Sequence, residues 1–259
     1  MKEQLKAVVL AAGKGTRLHT GETDAPKVMR EACGKPLLWY VLKALSFIEK
    51  KDTILVVGYK KESVISSFSE YPHVVQSEQL GTGHAVMAAN KMLSDHNGAV
   101  LVCYGDMPAI KRKTYEKLVQ THLTEKNTCT LLTGESSLEM AFGRIRRDEK
   151  GGFLSIVEEK DCTPEQLNIT ELNSGVYVFD TQKLLDSLKE LKNDNSQSEY
   201  YITDVPEIMR SKGEQIGILK CKLGDDIIGV NTTEHLEMAE RILKNRECTQ
   251  MEGAGVSGI

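Results

Sequence analysis

The sequence predicts an α/β fold, a doubly wound and mostly parallel sheet continued into a strand-rich lobe. Three observations carry that reading. Short apolar, β-branched runs alternate with helix-period segments through the first half of the chain. Glycine-bearing or polar turns directly follow three of those runs. From about Thr128 strands predominate, and no linker separates the two parts. Alternating strand and helix implies parallel strands joined by right-handed crossovers. In such a sheet, ligands lie beyond the carboxyl ends of the strands.

Taken in order, 6–12, 53–59, 73–76 and 99–104 read as buried strands, because each is short, apolar and without a polar alternation. Between them, 36–50 reads as a helix opened by proline, with Leu37, Val41, Leu45 and Ile48 on one face. Helices are also expected over 82–93 and 111–124. Strands follow at 129–133, 153–158 and 173–179, then a polar loop at 193–198 and a final helix at 231–245. Trp39 is expected in the core.

A chain of 259 residues can bury an ample core in one α/β domain. Its net charge of −4 excludes a global nucleic-acid or anionic-membrane surface. The distribution says more. Residues 1–35 hold seven cations against four acids, so a basic end suited to a small polyanion sits on an acidic chain. Six scattered cysteines without a Cys-x-x-Cys pair read as reduced, mostly buried thiols, not as a metal site or a disulfide frame. The first apolar run is only a strand long, so neither a signal peptide nor a membrane span is expected, and the cytoplasm is the expected compartment.

The chemistry-bearing segment is Leu10-Ala-Ala-Gly-Lys-Gly-Thr-Arg-Leu-His-Thr20, with Pro26-Lys27 just beyond. A strand that ends in a glycine-rich turn with Lys14 and Arg17 offers open amides and cations to a triphosphate. Leu18 stands where a dinucleotide fingerprint needs its third glycine, and no Gly-Lys-Ser/Thr completes a Walker loop. Alone, such a turn often only links a strand to a helix. Further along come Gln76-Ser-Glu-Gln-Leu-Gly-Thr-Gly-His84, Tyr104-Gly-Asp-Met-Pro108, Asn173-Ser-Gly-Val-Tyr177, Glu199-Tyr-Tyr-Ile-Thr-Asp204 and Gly229-Val-Asn231. Asp106, at the end of an apolar strand, suits a metal ligand and equally a cap for the next helix.

In that order, over roughly residues 5–245, these segments resemble the uridylyltransferase half of the bacterial N-acetylglucosamine-1-phosphate uridylyltransferase family. The resemblance implies a Rossmann-like sheet of the nucleotide-diphospho-sugar transferase type, with UTP and a sugar-1-phosphate as substrates. It divides 1–245 into a nucleotide-binding half (about 1–127), a sugar-binding lobe (about 128–230) and a C-terminal helix (231–245). Residues 246–259 become a tail or the start of a β-helix domain, and without that domain the β-helix-driven trimer is not expected. Joining a phosphate monoester to an α-phosphorus needs no general base, because the monoester is already largely dianionic at neutral pH. Neutralising and positioning two polyanions is the task.

Arg17 and Lys27 are therefore the expected phosphate clamps, although 19–24 appears longer than is usual in the family and leaves the placement of Lys27 open. Asp106 and, by resemblance, Asn231 are the expected Mg²⁺ ligands. Leu10, Ala11, Ala12, Gly13, Lys14, Gly15, Gln76, Gln79, Gly81, Thr82, Tyr104 and Gly105 are expected around the nucleotide. Gln76 would read uracil by both donating and accepting, and Thr82 can cap a helix at the same time. His84 is expected to pack or cap. For the sugar, the resemblance carries over Gly143, Glu158, Asn173 and Thr203, with Tyr201 packed over the ring. Without it, Glu158-Glu159 reads as a solvated charge run. Two rivals stay open: a nucleotidylyltransferase for another sugar, polyol or cofactor phosphate, and a catalytically silent sugar-nucleotide sensor.

Overall fold

The computed structural model describes residues 5–15, 25–136 and 140–255. β1 (Leu5–Ala11) is followed by a small ladder of β2 (Glu31–Ala32) and β3 (Lys35–Pro36), then by α1 (Leu37–Ala44). β4 (Thr53–Val57), α2 (Lys61–Ser67), β5 (His73–Val75), α3 (Thr82–Met87), α4 (Asn90–Leu93), β6 (Ala99–Tyr104) and α5 (Arg112–Glu125) complete the first half. The second half runs β7 (Cys129–Gly134), β8 (Arg144–Arg147), β9 (Phe153–Val157), α6 (Pro164–Leu167), β10 (Leu172–Asp180), α7 (Thr181–Leu188), α8 (Val205–Ser211), β11 (Ile216–Cys221) and α9 (Thr233–Gly255).

The main sheet has the order β11-β7-β10-β6-β1-β4-β5, with the β8–β9 hairpin hanging from the start of β10. β1 pairs in parallel with both β4 and β6, and the chain crosses over between those two neighbours. The gap between β1 and β6 is therefore the point where the winding reverses, the usual ligand crevice of such sheets. Along that seven-strand path β10 is the one strand antiparallel to its neighbours, β6 and β7. The expected lobe thus shares the same sheet instead of standing beside it.

Both faces of β1 are covered. Ala7, Val9 and Ala11 join one core with α1 and α5, whereas Val8, Leu10 and Ala12 join the other with α3, α7 and α8. That is why the strand is apolar without alternation. Each valine or leucine among them contributes about 1.5–3 kcal/mol by leaving water.

The strand expected to be buried at 73–76 is β5, whose His73 and Val75 are exposed at the edge of the sheet, and three expected helix bounds also need correction. α1 stops at Ala44, not at Lys50. Leu45 and Ile48 are nevertheless buried through the following turn, so the helical apolar spacing persists past the helix. The single helix expected over 82–93 is broken into α3 and α4, because the amides of Ala89 and Met92 bond three residues back and tighten the turn. α9 starts after Thr232, whose hydroxyl accepts from the His235 amide at 3.3 Å, and runs to Gly255 instead of ending near 245. Its Ala239 and Leu243 pack on Leu37, Tyr40, Ala109 and Val230.

Trp39 is only half-buried, with Lys35 and Lys43 over its ring. Of the described cysteines, Cys103 and Cys129 are buried, while Cys33, Cys162 and Cys221 are half-buried; none of these five is in a disulfide. Among the described residues no helix is long and apolar enough to cross a membrane.

Candidate active site

Four loops meet at one edge because parallel strands end there together. Leu10 lies opposite Tyr104, and Ala11 opposite Val57. The turns after β1, β4, β5 and β6 therefore share one rim. Gly58 lets the second of them close: a side chain there would meet the Ala12 carbonyl at 2.8 Å. The amide of Gly105 donates to Leu10 O at 2.9 Å and ties the Tyr104-Gly-Asp turn to the glycine loop. Gly15 has φ +65°, and its Cα lies so close to the stem of Lys27 that a Cβ would sit 2.7 Å from Lys27 Cβ.

Two clefts open on this rim. The first, of about 240 Å³, is lined by Leu10, Ala12, Gly13, Gln76, Gln79, Gly81 and Thr82, with Lys27, Tyr104 and Asp106 at one end. The second, of about 230 Å³, is lined by the same Lys27, Tyr104 and Asp106 and by Gly143, Glu158, Asn173 and Asn231. Three residues thus form the junction between them. Tyr104 can stand there because Gly175, at φ +75°, has no side chain; a Cβ would lie 2.2 Å from the tyrosine ring. Burial pushes the Tyr104 phenol well above its ordinary pKa, so it stays a neutral donor.

Lys27 sits on a 3-10 turn after Pro26. Its ammonium contacts the Asp106 carboxylate and donates to Asn231 Oδ1 at 2.8 Å. Asn231 reaches this point because the Val230 amide donates to the Asp106 main-chain carbonyl at 3.0 Å. Asp106 is not a helix cap, since the next helix begins only at Arg112. A carboxylate and an amide oxygen that converge on one cation form a hard-oxygen pair. Such a pair fits a divalent ion that takes its remaining ligands from phosphates and water, and Lys27 is a stand-in cation that demonstrates the convergence. Among the described residues no group of three or more His, Cys, Asp or Glu could hold a metal by itself.

The antiparallel direction of β10 brings its first residues to the rim. Asn173 donates from Nδ2 to the Tyr177 hydroxyl at 2.7 Å, and its amide donates to Gly143 O at 2.8 Å. Glu158 is not part of a solvated run: it is half-buried, and the Thr203 hydroxyl donates to its Oε1 at 2.9 Å. Burial raises its carboxyl pKa, against the opposing pull of Thr203. Next to Thr203, burial, assisted by Glu207, Glu158 and Asp161, raises the Asp204 carboxyl to about 6.

In the first cleft, Gln76 is buried and donates from Nε2 to Gly81 O at 3.1 Å, with His84 Nδ1 at 3.2 Å from the same nitrogen. The expected donation from Gln76 to a base is therefore not what the geometry offers. Gln79 donates to Ala12 O at 2.7 Å. Thr82 is the first residue of α3 and not its cap; its hydroxyl accepts from the Ile202 amide at 3.0 Å.

Not every expected residue lines a cleft. Ala11 and Gly105 are buried behind the rim, and Lys14 is exposed beside it. Thr203 lines neither cleft and donates to Glu158. Tyr201 lines an adjoining cavity of about 420 Å³ that shares Glu158 with the second cleft, and Gln197 donates to its hydroxyl at 2.7 Å. Arg17 and the long segment 19–24 lie outside the described residues. The clefts also include Val28, Ala85 and Glu199, and Met140, Phe142, Ser174 and Gly229, none of which was expected. Ser174, Glu199 and Gly229 stood inside the quoted motifs; the others carry no sequence signal.

The sequence profile of the nucleotidyl transferase family matches residues 6–222. The chain belongs to that family. It is an enzyme of the nucleotidyltransferase class, and the class generally uses a divalent metal with nucleotide and sugar-phosphate substrates. Among its relatives is the protein named "Bifunctional protein GlmU" of Lactobacillus delbrueckii subsp. bulgaricus, 44% identical over 242 residues, which cover 92% of this chain and 51% of that one. The proteins of the same name from Caldanaerobacter subterraneus subsp. tengcongensis and Streptococcus sanguinis are 42% and 40% identical. Those matches cover 94% and 98% of this chain and 52% and 55% of theirs. The chain spans about half the length of the curated relatives it matches.

Proposed function

We propose that this chain transfers the uridylyl group of UTP to N-acetylglucosamine-1-phosphate, giving UDP-N-acetylglucosamine and pyrophosphate, with Mg²⁺ as the metal. The observation that carries the reading is the junction: Lys27, Tyr104 and Asp106 line both clefts. A nucleotide in one cleft and a sugar phosphate in the other would bring their phosphates together there. A phosphate oxygen of the sugar phosphate attacks the α-phosphorus, a new P–O bond forms, and the bond to pyrophosphate breaks. No proton has to be removed from the nucleophile, so the reaction calls for no catalytic base.

The residues do the work of positioning. The half-buried Gly81 and Thr82 hold the nucleoside end. Glu158, Gly143 and Asn173 face the sugar. Lys27 neutralises the phosphates around the reacting phosphorus. Asp106 and Asn231 would hold Mg²⁺, which when bound supplies charge neutralisation across both phosphates. The expected cytoplasmic setting suits the free thiols. A silent sensor would need neither the metal ligands nor the lysine.

The test is pyrophosphate release from a substrate panel. Release that requires UTP, N-acetylglucosamine-1-phosphate and Mg²⁺ together supports the reading. Equal rates with glucose-1-phosphate, or none with any sugar phosphate, overturn it.

Metal binding itself has a separate readout. In Lys27→Met the stand-in ammonium is gone and both oxygens are free, so nucleotide-free protein is expected to bind Mn²⁺ about tenfold more tightly. Turnover should be lost with the same change. Electron paramagnetic resonance of free Mn²⁺ measures the affinity, and an unchanged or weaker affinity would contradict the shared position.

A further inference from the structure

The amide of Gln76 has only two protons, and both are committed. One goes to the Gly81 carbonyl at 3.1 Å, which can only accept. That contact decides which end of the amide is nitrogen. The other faces His84 Nδ1 at 3.2 Å. An amide nitrogen has no lone pair to offer, so Nδ1 is the acceptor and the ring proton resides on Nε2. His84 is half-buried, and its ring lies 6.5 Å from that of Tyr200, tilted by 32°. Tyr200 is held in turn, its amide donating to Leu80 O at 2.8 Å and its carbonyl accepting from the Gly83 amide at 2.7 Å. Among the described residues, Gln76 Oε1 has no donor, and Gln76 lines the nucleotide cleft.

We infer that His84 is a positioning residue for base specificity: by taking the second amide proton it makes Gln76 an acceptor only. This rests on the UTP reading given above. Uracil carries a hydrogen on N3, which a lone acceptor takes. Cytosine has an unprotonated N3, and the same acceptor meets a lone pair. The terminal torsion of a glutamine is soft and roughly two-fold, so an amide held at one point can turn over and offer its NH₂ to cytosine instead. With both protons engaged, turning would set the amide oxygen against the Gly81 carbonyl and would oblige the imidazole to move its proton from Nε2 to Nδ1. His84 therefore excludes cytosine indirectly, and mispairing leaves a buried acceptor unsatisfied.

The experiment compares kcat/KM for UTP and CTP in the wild type, His84→Leu, His84→Ala and His84→Asn. Leucine and alanine remove the acceptor, one keeping bulk and the other not. Asparagine can return an acceptor oxygen close to the position of Nδ1. The UTP/CTP ratio is expected to fall about tenfold in His84→Leu and His84→Ala, and to stay within about twofold of wild type in His84→Asn. A purely structural role would lower both substrates together and leave the ratio unmoved. Should one acceptor-less variant fail to fold, the other carries the comparison; should both fail, a ratio in His84→Asn reduced tenfold refutes the proposal and a preserved one supports it. A preserved ratio in either folded acceptor-less variant also refutes it. A wild type that makes no pyrophosphate from UTP would instead overturn the functional reading.

Discussion

Asp106→Asn is expected to lower kcat by about a thousandfold or more, while the KM for the sugar phosphate stays within a few-fold. Asp106 lines both clefts and contributes the only carboxylate in contact with the Lys27 ammonium among the described residues. Its charge matters most while negative charge shifts from the α-phosphorus to the leaving pyrophosphate, so its removal falls on the transition state more than on ground-state binding. Asn231→Ala should follow the same pattern with a smaller loss, because it removes a neutral ligand. Steady-state kinetics at saturating Mg²⁺ measures both, and thermal melts separate chemistry from folding. A kcat within a few-fold of wild type for Asp106→Asn would remove this residue from the metal assignment.

The second large effect is on stability. Gly81 has φ +106°, and a Cβ there would lie 2.6 Å from the Tyr200 carbonyl and 2.9 Å from Glu199 Cβ. Gly81→Ala must push apart two segments that are joined by the Tyr200–Leu80 and Gly83–Tyr200 hydrogen bonds. Strain and overlap together should cost about 3 kcal/mol, which corresponds to about 6–12 °C in Tm for a chain of this size. Gly213→Ala is the control. It also has a positive φ, +79°, but nothing stands within 4 Å of the added carbon. That variant should cost only about 1 kcal/mol. Calorimetry giving equal losses for the two would show that the contact with Tyr200 does not hold the nucleotide loop.

The elements legible in the sequence are those whose cause is local. β1, β4 and β6 are buried on both faces, and their continuous apolar runs say so directly. Helix ends were less legible. Ile48 is buried outside α1, so apolar spacing tracks burial and not the last helical hydrogen bond. The strands β8 and β11 escaped notice because Arg144–Arg147 is charged and Ile216–Cys221 mixes exposed with buried positions.

The same division runs through the site. By itself the sequence determined that glycine-bearing turns follow apolar strands, that Lys27, Asp106 and Gln76 lie in them or just after them, and that Asn173 opens a strand. Strand order and register decided which of these residues meet. Asp106 and Asn231 are joined across the fold by the Val230–Asp106 hydrogen bond, and Asn173 reaches the rim because β10 runs against β6 and β7. The committed protons of Gln76 also needed three dimensions, because a hydrogen-bond partner is chosen by proximity after folding. Residue type limits what a group can donate or accept; only packing decides which of those capacities is left for a ligand.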